Sequence, residues 1–151
     1  MSSEAQRQCR KLDVVTVKGS AVPMPIYTFD TFQNQIFPQL RTPKYSSLDL
    51  EEVLKKQADE YDVLMWKHDQ DLIQLRSLST ETFRESYRQG LESYLSGEWE
   101  KARIHLTKAN DLMMDSDIGG DGPSKSLLSF MESREWNCPR EWKGFRPLTS
   151  K

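Results

Sequence analysis

Two β-like runs stand at the N-terminal end of this sequence and no third is evident after them, an imbalance that constrains the fold more than any other feature. In LDVVTVKGSAVPMPIYTFD, residues 12–30, the stretches Leu12 to Val17 and Met24 to Phe29 are rich in Val, Ile, Tyr, Phe and Thr. Lys18-Gly19-Ser20 and Pro23 punctuate them, the pattern of two strands and a turn. A lone hairpin buries too little apolar surface and leaves both edges unpaired. These strands must therefore pair with something outside the chain or pack on its helices.

Beyond the hairpin the periodicity is helical. Residues 31–46 carry Pro38 and Pro43 among Phe32, Ile36, Phe37, Leu40 and Tyr45 without a clean period, which reads as a linker that clings to a surface through its aromatics. From Ser47 to about residue 77, Leu50, Val53, Leu54, Tyr61, Leu64, Met65, His68, Leu72 and Leu75 recur at three- and four-residue spacing, predicting one long amphipathic helix. Ser46 or Ser47 suits its N-cap, and Asp49, Glu51 and Glu52 suit the positive end of its dipole. Ser79 or Thr80 caps a second helix through Leu95 with Phe83, Tyr87, Leu91 and Tyr94 inward. Gly97 ends it, and a third helix is expected from about Glu98 to Met114 with Trp99, Ala102, Leu106, Ala109 and Met113 inward. DSDIGGDGPS reads as a loop leading to a short helix over about 123–134, with Pro123 in its first turn. Trp142 and Phe145 lie in an irregular tail that should dock back on a surface, since exposed aromatics are costly.

The fold class expected is mainly α: an N-terminal β hairpin, a long helix, a helical hairpin of tetratricopeptide type and a short C-terminal helix. The segments are divided as 1–30, 31–46 and 47–151. The tetratricopeptide signal is the spacing of Gly90, Gly97, Trp99, Ala102, Leu106 and Ala109, in which the small residues let two antiparallel helices approach while Trp99 and Leu106 fill the space between pairs. A single copy needs support from flanking helices, because arrays of such repeats usually take about three copies to be stable.

Apolar residues make up 36 % of the chain and charged residues 29 %, against about 45–50 % and about 25 % for globular domains, so a modest core with long polar connections is expected. The 21 Lys and Arg are interleaved with 23 Asp and Glu for a net charge of −2, which argues against nucleic acid as a partner. Cys9 and Cys138 are far apart and have no paired histidines near them, so they read as free thiols of a reducing, cytoplasmic setting rather than a zinc site. No run approaches the roughly 20 apolar residues that span a bilayer, so direct membrane insertion is not expected.

The chemical motifs are sparse. A calcium loop starting at Asp115 would want an acidic or amide group at its fifth position and Glu at its twelfth, where this chain has Gly119 and Ser126. IGGDGPSK follows no strand and lacks the Walker spacing. His68 and His105 sit inside helical patterns with no Ser or Cys motif beside them. The acidic residues of 51–71 alternate with Lys55, Lys56 and Lys67 as i,i+4 partners. No catalytic residue, metal ligand or cofactor is expected in this chain.

At CRKLDVVTVKGSAVPMPIY, residues 9–27, the sequence resembles the last hairpin of a class III nucleotidyl cyclase catalytic domain, through Arg10, Leu12, Asp13, Val15, Val17, Lys18, Gly19, Ser20, Ile26 and Tyr27. The remainder, with DGPSKSLLSFM and CPREWKGFRPLTSK, resembles the helical tail that follows this domain in large membrane cyclases of protists. The resemblance implies a parent adenylate or guanylate cyclase, membrane-bound, using magnesium or manganese, whose metal-binding and base-selecting motifs would lie upstream of the hairpin. It implies one nucleotide contact here, Lys18, since a lysine in this terminal loop can reach nucleotide phosphates. The expected function is a non-catalytic interaction or regulatory module, with Trp99, Trp142 and Phe145 as anchors for a protein partner or for the parent's catalytic domain. The alternatives are a small structural subunit of a ciliary or cytoskeletal assembly, or a chain that completes a cyclase active site.

Overall fold

In the computed structural model the described residues are 8–30, 51–52, 55, 68, 70–114 and 119–148. The expected linker over 31–46 and most of the expected helix over 47–77 lie outside them. The chain divides into two compact units, one made of Met1–Asp30 with Leu78–Lys151 and the other of Thr31–Ser77. This partition differs from the expected 1–30, 31–46 and 47–151, because the hairpin shares its core with the C-terminal helices. In the Thr31–Ser77 unit, helix α1 (Gln70–Leu75) is described and ends in a turn.

The larger unit begins with β1 (Arg10–Val17) and β2 (Met24–Thr28), paired antiparallel. Their turn closes through the Ser20 N–H, which donates to the Val17 carbonyl at 3.0 Å. Gly19 takes φ +88° there, a conformation that side chains disfavour at the third position of such a turn. Next come α2 (Glu81–Leu95), α3 (Trp99–Leu112) and α4 (Gly122–Glu132). The second helix starts on Thr80, whose hydroxyl accepts from the Phe83 N–H at 3.2 Å. It stops at Gly97, at φ +85°, where Glu98 N–H bonds back to Ser93 O at 2.8 Å and Gly97 N–H to Tyr94 O at 3.1 Å. That pair of bonds is a Schellman cap, and its left-handed residue is best supplied by glycine. Asp121 caps α4, with its carboxylate accepting from Ser124 N–H at 2.8 Å and Ser124 Oγ–H at 2.6 Å.

The tail corrects the expectation that no third strand exists. Residues Arg146–Leu148 form β3, parallel to β1, and the sheet order is β2-β1-β3. The described residues thus combine helices with a small three-stranded sheet, a mixed α/β composition in which helix predominates. Pro25 pairs with Val14 and Pro147 with Thr16. Having no N–H, each proline can stand in a ladder only where its backbone turns away from β1. Both outer edges therefore carry a proline, a device that discourages further strand pairing.

The buried apolar set is Val15 from the sheet with Phe83, Tyr87, Leu91 and Tyr94 of α2, Trp99, Ala102, Leu106, Ala109 and Met113 of α3, and Leu127 and Met131 of α4. The stripes read from periodicity on α2 and α3 are those that face inward. Close approach of the two helices depends on Gly90, where a Cβ would lie 2.7 Å from Leu106 Cγ.

Candidate functional site

Arg10 stands at the junction of the hairpin with the helices. It opens β1, and its side chain is 8 % exposed. The guanidinium donates to Asp30 just after β2, with Nε 2.9 Å from Oδ2 and Nη2 2.7 Å from Oδ1. It also donates to the α4 cap Asp121, with Nη2 2.9 Å from Oδ1 and Nη1 3.1 Å from Oδ2. Its plane lies over the rings of Tyr87 and Phe83 on α2, at 4.3 and 4.8 Å from their centroids. Burial alone would favour the neutral form, yet the hydrogen bonds and charges of the two carboxylates outweigh it and hold the guanidinium firmly ionised. Only arginine offers a planar fork that can serve two carboxylates and stack on aromatics at once.

A second buried ion pair lies on the same strand. Asp13 is buried, its Oδ1 accepts from Val14 N–H at 2.8 Å, and its Oδ2 lies 2.9 Å from Arg146 Nη2 on β3. Desolvation raises the Asp13 pKa above its ordinary value, although Arg146 opposes the shift. Between the two pairs the register of β1 slips at Leu12, and the Leu12 carbonyl accepts from the Tyr87 hydroxyl at 2.8 Å. The hairpin is thus fixed to helices and tail through side chains from α2, Asp121 and Arg146.

The tail closes over the α2–α3 turn. Trp142 donates its indole N–H to Leu95 O at 3.1 Å, satisfying a carbonyl that the helix end leaves open. Its ring meets Tyr94 at 5.2 Å and Trp99 at 5.4 Å, both edge to face, and Phe130 of α4 completes the cluster. Gly144, at φ +78°, lets the chain pass where a Cβ would sit 2.9 Å from Leu95 O.

Of the residues singled out in sequence, Trp99 is 2 % exposed and is core. Trp142 is half-buried and packs edge to face against it. Phe145 is half-buried at the entry to β3, and Lys18 is exposed at the hairpin tip, far along β1 from the Arg10 cluster. The structure does not bring Lys18 together with the three aromatics. Arg10 and Asp13 belong to the stretch that resembles the cyclase ending, which implies no role for either, and nothing in the sequence marks Asp30, Asp121 or Arg146 as their partners. A pair of opposite charges more than a hundred residues apart leaves no local signal.

A groove of about 1080 Å³ lies along α2 beside Cys9–Lys11 and Tyr27. Among its charged helix residues, Arg88 pairs with Glu85 and with Glu92 at 2.6 Å each. Among the described residues no three His, Cys, Asp or Glu side chains are grouped to hold a metal ion, and no helix is long and apolar enough to cross a membrane. A scan against protein-family models and searches of curated proteins and of solved structures each found no match.

Proposed function

We propose that this chain is a non-catalytic interaction or regulatory module of the kind that would terminate a class III nucleotide cyclase, docking on a catalytic domain or on another protein. The observation that carries this reading is the Arg10 bridge. Arg10 belongs to the residues resembling the cyclase ending, and its guanidinium joins Asp30 at the hairpin's end to Asp121 at the start of α4. A rigid joint of this type passes the position of the helical part to whatever the hairpin is attached to, which is what a regulatory tail requires. The groove along α2 offers a concave surface beside that joint.

A second reading rests on Lys18, exposed at the tip of the turn: the chain would complete a cyclase active site in a second polypeptide, which would bring the magnesium or manganese. The proline-bearing outer edges of the sheet favour docking through side chains over pairing of strands with that polypeptide. The test is to mix the purified chain with a class III catalytic domain and follow both co-elution and cyclic nucleotide production. The docking reading expects co-elution unaffected by Lys18→Ala and no activity that depends on Lys18. Synthesis that appears only in the mixture and is lost with Lys18→Ala would replace it with the second reading. A place in a ciliary or cytoskeletal assembly would instead give no co-elution with the catalytic domain and no effect on its activity.

A further inference from the structure

The two stretches of chain that flank residues 31–77 meet each other. Asp30 closes the hairpin and Leu78 re-enters the larger unit. Ser79 Oγ–H donates to Asp30 Oδ2 at 3.5 Å, and the same carboxylate receives two donors from Arg10, which is in turn bound to Asp121. The point of departure and the point of return are thus clasped into one part-buried polar cluster. The two stretches share an apolar core that runs from Val15 of β1 to Leu127 and Met131 of α4. Among the described residues the sheet has β3 on one side of β1 and β2 on the other, all three strands from the larger unit.

We infer that residues 31–77 are an insertion into a fold that is specified by the segments before and after them, and that the Arg10–Asp30–Ser79 clasp seals its root. The cost of closing a loop grows only with the logarithm of its length, so a host that holds the two stems together tolerates an insertion of this size. Insertions are accepted where departing and returning backbone lie side by side at the surface of a finished core.

The test uses the full chain with a specific protease sequence placed after Arg41 in one variant and after Asp59 in another. After cleavage the two fragments are expected to elute together at the volume of the uncut protein, to separate only in denaturant, and to keep the far-ultraviolet dichroism of the larger unit. Fragments that part under native conditions, or a cut protein that loses its helical signal, would overturn the inference. Failure of both uncut variants to fold would overturn it equally, because an insertion must accept added sequence. Arg10→Lys in the cut chain gives a second measurement: with the clasp weakened, the fragments should separate at lower denaturant than the cut parent, and an unchanged separation point would remove the clasp from the account.

Discussion

At the scale of single residues, stability is concentrated in a few buried groups whose partners are distant in sequence. Removing the Arg10 side chain as Arg10→Met would leave Asp30 and Asp121 without their shared cation, and breaking a buried pair on one side costs about 3–5 kcal/mol; urea unfolding should show the midpoint falling accordingly. Tyr94 points the other way. Its hydroxyl is buried with no hydrogen-bond partner among the described residues, and burial pushes its pKa up. Tyr94→Phe should therefore be neutral or stabilising by about 1 kcal/mol, and a clear loss in the same unfolding experiment would mean that the hydroxyl has a partner. Asp13 predicts a pH effect. Because its native pKa is raised, the native state binds the proton more tightly than the unfolded chain. The ionised carboxylate then costs stability above the native pKa, and the cost is relieved as pH falls toward the ordinary value of 3.8. The parent should gain stability relative to Asp13→Asn over that descent, which paired thermal melts would reveal; a parent that loses ground would mean that Arg146 outweighs desolvation.

At the scale of elements, helices α2, α3 and α4 were legible and the sheet was only half so. Phe83, Tyr87, Leu91 and Tyr94 recur with the helical period, Thr80 and Gly97 bracket them, and the structure buries the whole stripe. Gly90 was legible from the spacing as one of the small residues that let the two helices approach, and the side chain that packs on it is Leu106. Gly90→Ala should lower stability although alanine favours helices by about 1 kcal/mol, since overpacking against Leu106 costs about 1–3 kcal/mol; thermal melts give the sign. Strand β3 was not legible. Arg-Pro-Leu is too short to alternate and contains a proline, and its place is set by the parallel register with β1 and by Asp13, both far away in sequence. The Arg10 cluster escaped for the same reason: periodicity reports neighbours within a turn or two of chain, whereas Asp121 is remote. The docking tail was legible as an expectation from the cost of exposing Trp142, but its use of the indole N–H to cap Leu95 was not.

At the scale of the molecule, the question raised by an unaccompanied hairpin has an internal answer. The described sheet is completed by the chain's own tail, its outer edges are turned to proline, and its central strand is bound to α2, to Asp121 and to β3 through side chains. The hairpin and the helical tail should then unfold together. Native-state hydrogen exchange tests this most directly, by comparing the slowest amides of β1, such as Val15, with those of α2 and α3, such as Leu91 and Leu106. The account predicts one common free energy of opening for all three. A Val15 amide that exchanges through an opening much cheaper than that of Leu106 would show a hairpin that detaches from the helices, and the claim of a single rigid joint would fail.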